Sequence, residues 1–132
     1  MRLETGRRRA RLVLAFAYAV VGVVHLKSPE GFLPIMPDWV PQPRAVVLAT
    51  GVAEIAGAIG LMIPQLRRWA GWGLAAYAVC VFPANIKHAV EGIELSGVAL
   101  DWRYHGPRLL LQPVLVWWAL FASGITSWPF RR

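Results

Sequence analysis

Cysteine is almost missing: Cys80 is the single one in the chain. That scarcity excludes an intramolecular disulfide and any CxxC exchange centre, and so disfavours a thiol-oxidase mechanism. Placed amid Tyr77, Val79 and Phe82, Cys80 is expected to pack as a small hydrophobe. Charge is scarce too, at 16% of residues against 57% hydrophobic, which lies outside ordinary soluble composition. Acidic residues are scarcer still, 7 against 14 lysines and arginines. There is no glycine-rich dinucleotide motif, no internal repeat, no low-complexity segment and no linker, so the 132 residues read as one domain.

The apolar residues gather into four blocks, Leu12–Leu26, Ala45–Ile63, Trp69–Ala84 and Leu109–Ile125, each bounded by Arg, Lys, Pro or Gly. A helical crossing needs about 20 residues, which the blocks reach with their flanks. The first is the shortest, about 22 Å of helix, so Arg11 is expected to snorkel while the helix extends backward. The pattern predicts an all-α integral membrane protein, a four-helix antiparallel bundle with spans at about 10–26, 45–63, 69–88 and 108–126.

The net charge of +7 does not point to nucleic acid, because the basic residues bracket apolar spans and do not line one face. Arg2, Arg7, Arg8, Arg9, Arg11, Arg67, Arg68, Arg131 and Arg132 fall on one side with Glu4. Lys27, Arg44, Lys87, Arg103 and Arg108 fall on the other with Glu30, Asp38, Glu91, Glu94 and Asp101. Nine against five places both termini in the cytoplasm by the positive-inside rule, as expected of a multi-pass protein of a bacterial inner membrane. No small-residue cleavage pattern follows the first apolar run, so that span is expected to remain uncleaved.

Between the first two spans, Pro29, Pro34, Pro37, Pro41 and Pro43 alternate with Phe32, Ile35, Met36, Trp39 and Val40. The segment is too broken for a regular helix and too apolar for free solvent, so it lies on the interface or folds over the bundle mouth. The short turn Pro64–Arg68 makes the second and third spans antiparallel neighbours. The longer connection from Val90 ends in Gly106-Pro107, a favourable helix start.

An ionisable group within a bilayer costs about 2.5–3.5 kcal/mol near the centre, which makes Glu54 the leading functional candidate. It lies about 13 Å below the outer end of its helix. Gly51, Gly57 and Ala58 share its face, and Ala53/Gly57 and Ala56/Gly60 are small-residue pairs suited to helix contact. With alternating spans, His25, Asn85, His88, Arg108 and Gln112 fall at one outward depth. Asn85 and His88 are on one helix face, and Arg108 and Gln112 on another. Pro83 and Pro113 free the carbonyls of Val79 and Leu109, and such breaks line cavities in membrane proteins. Each residue also has a plainer reading: His25 as an interfacial side chain, Asn85 and Gln112 as interhelical bonds, Arg108 as a headgroup contact, His88 as a loop residue. Metal ligation by His25, Glu54 and His88 has little support, since the three sit on three helices with no local ligand spacing, and no metal site is assigned.

Several short segments, namely His25-Leu26-Lys27-Ser28-Pro29, Ile35-Met36-Pro37, Gly51–Gly57, Phe82–Ile86 and Arg108–Gln112, come in an order that resembles the DoxX-like family of small membrane proteins. The resemblance implies a four-helix membrane fold and, for the namesake, association with a quinone-linked sulfur oxidoreductase. It selects the same residues, His25, Glu54, Asn85, Arg108 and Gln112; His88 and Trp39 remain secondary candidates of the residue pattern alone.

Three functions compete. The first is a redox accessory holding a quinone or similar lipid-soluble ring in an outward pocket. There Glu54 and His25 exchange protons, Asn85 or Gln112 bonds a carbonyl, and Trp39, Trp117 and Trp118 pack the ring. Such an accessory would work with a redox partner subunit or as a homo-oligomer within the lipid bilayer. The second is a non-catalytic lipid or solute binder or assembly factor. A transporter is the weakest, because four short spans show no repeat. The topology has a direct check. A cysteine introduced at Gln65 should resist a membrane-impermeant reagent in intact cells, while one at Glu94 should react; the reverse pattern overturns the orientation.

Overall fold

The computed structural model describes residues 2–92 and 101–130, and all their regular secondary structure is helical. The elements are α1 (Arg2–Lys27), a 3₁₀ segment (Pro29–Ile35), α2 (Pro43–Met62), α3 (Arg67–Cys80), α4 (Phe82–Glu91) and α5 (Trp102–Ala122). Three stretches, Arg2–Lys27, Pro43–Met62 and Arg67–Glu91, are long and apolar enough to cross a membrane. Helix α5 is not among them: it has 21 residues, but Arg103, His105, Arg108 and Gln112 interrupt its first half.

Local chemistry explains where these elements depart from the predicted spans. Helix α1 does extend backward, to Arg2, but Arg11 does not snorkel. It is buried and donates from Nη1 to the Ala122 carbonyl at 3.0 Å, meeting the negative end of α5. The predicted span 69–88 is two helices. Pro83 has no N–H and its ring opposes the carbonyl four residues back, so the chain turns at Val81 between α3 and α4. Cys80 sits exposed beside this break and is not packed inside. Helix α5 begins well before Gly106-Pro107, because Asp101 caps it by accepting the Arg103 N–H at 2.9 Å. Pro107 and Pro113 therefore lie inside the helix. Most of the connection predicted after Val90, with Glu94, lies outside the described residues, as do Arg131 and Arg132.

Helices α1, α2, α3 and α5 pack in a ring, each antiparallel to its neighbours. Gly22 meets Gly51 between α1 and α2; Gly57 meets Leu74 and Gly60 meets Ala70 between α2 and α3; Gly71 meets Ser123 between α3 and α5. The ring closes where Trp118 Nε1 donates to the Ala10 carbonyl at 2.9 Å and Arg7 to the Thr126 carbonyl at 3.2 Å. The beginning of α1 and the end of α5 thus share one end of the molecule with the turn after α2. Leu14, Tyr18, Ala58, Leu61, Leu74, Ala75, Ala119 and Ala122 form an apolar core toward that end.

The predicted small-residue pairs make contact through their glycines, Gly57 on Leu74 and Gly60 on Ala70, and not through their alanines. Ala53 and Ala56 are exposed, and the close approach belongs to Gly22 and Gly51. A Cβ on Gly22 would stand 2.8 Å from the Gly51 carbonyl oxygen, and one on Gly51 would stand 2.9 Å from the Gly22 oxygen. Backbone cannot give way as a side-chain tip can. Gly22→Ala should therefore cost about 1–3 kcal/mol by overpacking. Gly73, whose added Cβ meets nothing within 4 Å, should accept alanine without loss. Unfolding midpoints in detergent compare the two, and equal midpoints would refute the close-packed crossing.

Candidate functional site

Beside its apolar core the ring buries several polar side chains, while large apolar ones stand outside. Phe16, Trp69, Val79 and Leu110 are 61–78% exposed, whereas Glu54 is 3%, Gln112 6% and Asn85 9% exposed. Buried polar groups need partners, and here they find them in pairs.

The first group surrounds Glu54. Where Gly22 meets Gly51, the Glu54 Cβ lies against the Gly22 position and the His25 Cβ against the Gly51 position, so the two side chains reach each other across the crossing. His25 Nδ1 stands 3.2 Å from Glu54 Oε2. The same nitrogen is 2.8 Å from the Val21 carbonyl, which can only accept, so Nδ1 carries the proton and directs it along its own helix. Oε2 is thus beside the imidazole yet receives no aligned hydrogen bond. The other oxygen, Oε1, accepts from the Tyr77 hydroxyl. Tyr18 packs edge-on against Tyr77 at 6.1 Å between centroids. One carboxylate oxygen is fixed by a phenol, and the other is left to a proton or a ligand donor.

A surface segment covers this group. Phe32, from the 3₁₀ segment, stacks on the His25 ring with centroids 3.9 Å apart and planes 11° from parallel. Lys87 Nζ anchors the segment by donating to the Met36 carbonyl at 2.7 Å and to Asp38 at 3.0 Å. At its other end Arg44 Nε donates to Glu30 at 2.9 Å, and this bond holds the Glu30 carboxyl below the usual carboxylate range. The carboxylate pairs only while ionised, so this exposed tie is present at neutral pH and lost as pH falls through the lowered value. The proline-rich segment therefore folds over the helices, as one of its two sequence readings holds.

The remaining predicted residues form two further pairs. Asn85 donates from Nδ2 to Gln112 at 3.2 Å, and Gln112 donates from Nε2 to the Ala78 carbonyl at 2.7 Å. The carbonyl used is Ala78, one residue before the Val79 carbonyl that Pro83 was expected to free. Arg108 donates from Nη1 to His88 Nδ1 at 2.9 Å and lies over the Tyr104 ring. His88 is not a loop residue: it is fully buried, with His105 edge-on at 4.6 Å. The six residues thus do not converge on a single centre, and Asn85 and Gln112 are bonded to each other and to backbone, not to Glu54.

Trp39 stands apart, 75% exposed beside a cleft lined by Pro83, Ile86 and Lys87. Trp118 and Trp117 lie at the end that carries the termini, where Trp117 donates to the Trp128 carbonyl at 2.8 Å, so they do not join Trp39 around one ligand. Among the described residues no cluster of three His, Cys, Asp or Glu side chains is arranged to hold a metal.

Sequence reasoning missed Tyr77, Tyr18, Phe32 and His105. Tyr77 was within reach: it lies as far beyond the α2–α3 turn as Glu54 lies before it, so an antiparallel hairpin puts both at one depth. His105 was hidden by starting α5 too late.

The Gln112 pair yields a stability test. Gln112→Leu strands the Ala78 carbonyl and the Asn85 amide and should cost about 1–3 kcal/mol. Trp39→Ala should leave the unfolding midpoint unchanged. A neutral Gln112→Leu would show that these bonds are replaced from elsewhere.

Comparison with known proteins corrects the resemblance drawn from short motifs. Residues 14–123 match the model of a domain of unknown function, DUF8561, and not the DoxX family. The motifs misled because a glutamate among glycines, a proline-broken span and an Arg/Gln helix start are what packing in a membrane asks of many unrelated chains. No curated protein and no solved structure matches. With most of its length covered by that match, the chain belongs to the DUF8561 family.

Proposed function

We propose that this chain is a multi-pass membrane protein of four crossings, with both termini cytoplasmic, that binds a planar lipid-soluble ring over His25 and couples its binding to protonation of Glu54. The carrying observation is the buried Glu54 carboxylate between Tyr77 and His25, with the imidazole face covered by Phe32 from a surface segment. A carboxylate is costly in such surroundings and serves best where it takes up and releases a proton. A stacked Phe32 marks the place a ligand ring would take. A quinone head group suits that position: its flat face replaces Phe32 on the imidazole, and its carbonyl accepts a hydrogen bond from the proton that Glu54 keeps at Oε2. Asn85 and Gln112 support the helices in this reading and do not bond the ring.

The fourth crossing would be α5, whose polar first half faces α4 through His88 and Gln112 while Leu110, Leu111 and Val114 are exposed toward lipid. Basic residues concentrated at the end with the termini support the cytoplasmic assignment, and the membrane would be the bacterial inner one.

The test titrates the full chain in nanodiscs with a short-chain benzoquinone, read by tryptophan fluorescence over a range of pH. The parent should bind with pH-dependent affinity. Glu54→Gln, which keeps shape and hydrogen bonding, should fold and lose that pH dependence, and Phe32→Ala should bind more tightly because it removes the competing ring. Glu54→Leu should lower stability as well. A folded Glu54→Gln protein with the parental pH response would sink the proposal.

A further inference from the structure

The end of the molecule that carries the first turns of α1 holds a second candidate site. A cleft of about 370 Å³ lies between the first turns of α1 and the C-terminal segment, lined by Arg2, Leu3, Gly6, Phe121 and Phe130. Its walls are apolar and its rim is cationic. Gly6 leaves the space open, since an added Cβ there would meet nothing within 4 Å.

Charge around the cleft is unbalanced. Arg2, Arg7, Arg8, Arg9, Arg11, Arg67 and Arg68 gather at this end, and Glu4 is the one carboxylate with them among the described residues. That carboxylate is divided between Arg7 at 3.6 Å and Arg11 at 3.5 Å. Both arginines also hold the end of α5: Arg11 through the Ala122 carbonyl, Arg7 through Thr126 and Ser127 while lying over the Phe121 ring. Arg7 Nε is buried with no partner beside that ring. Arg2 lies exposed at the cleft, on the same helical stripe as Gly6 and Arg9, with no carboxylate of its own.

We infer that this cleft binds one anionic phospholipid, its phosphate held by Arg2 and its upper acyl chain laid over Leu3, Gly6, Phe121 and Phe130. The site needs both halves: a zwitterionic lipid matches the apolar floor but not the uncompensated positive rim, and a free anion matches the rim alone. The inference rests on the membrane reading above, but not on Glu54, so either site can fail without the other.

Native mass spectrometry of the full chain in a neutral detergent, with phosphatidylglycerol or phosphatidylcholine of equal chain length, tests it. The parent should retain one phosphatidylglycerol in preference to phosphatidylcholine. Arg2→Gln should reduce that preference about fivefold, the factor corresponding to about 1 kcal/mol per arginine at an anionic surface. Gly6→Leu fills the cleft with a better helix former and should abolish retention while folding normally. Arg68→Gln, at the α2–α3 turn, should leave retention at the parental level. Equal retention of both lipids by the parent overturns the inference. So does parental retention in Gly6→Leu, or a loss in Arg68→Gln matching that in Arg2→Gln, which would assign the effect to diffuse charge and not to this cleft.

Discussion

Backbone contact between α1 and α2 at Gly22 and Gly51 sets the geometry on which the polar interior depends. Each glycine leaves its carbonyl oxygen so close to the other helix that a single methyl group would not fit. With that crossing fixed, Glu54 packs beside Gly22 and His25 beside Gly51, and their side chains meet across it. The remaining partner follows from the next helix pair: Gly57 admits the Leu74 side chain and Gly60 the Ala70 methyl, and at that register Tyr77 reaches Glu54. A buried carboxylate with two partners is thus the result of glycines on two sides of α2, Gly51 toward α1 and Gly57 and Gly60 toward α3.

Lipid accounts for the large apolar side chains on the outer surface and for polar ones turned inward beside the apolar core. Hydrocarbon gives a helix no reason to hide leucine or tryptophan, and it provides no water for a glutamate, glutamine or freed carbonyl. The exposed surface accordingly carries Phe16, Trp69, Val79 and Leu110, while Glu54, Asn85, His88 and Gln112 turn inward. Where the helical ladder is interrupted, side chains take over: Gln112 serves the Ala78 carbonyl near the α3–α4 break, and Arg11 serves the end of α5. Arginine at that end ties the ring closed and leaves positive charge in excess, so the packing that fastens α5 also shapes the basic cleft.

The sequence by itself determined that the chain is helical, that its apolar stretches are of membrane-crossing kind, three of the four it marked being long and apolar enough in the structure, and that Glu54 faces other helices. Each of these depends on composition or on a local period, which are read without knowing what lies across the fold. It also placed Asn85 with Gln112 at one outward depth, because antiparallel spans of known length allow depth to be counted. Tertiary structure alone decided which residues at that depth touch. Depth is one coordinate, and the rotation of each helix about its axis is a second, set here by glycine contacts that no short motif announces. Rotation divided one expected cluster into three pairs, gave Glu54 the Tyr77 hydroxyl as its donor, and put Trp117 and Trp118 at the far end from Trp39. The break at Val81 and the early start of α5 were likewise decided by competition between proline, caps and packing over distances that the linear pattern does not contain.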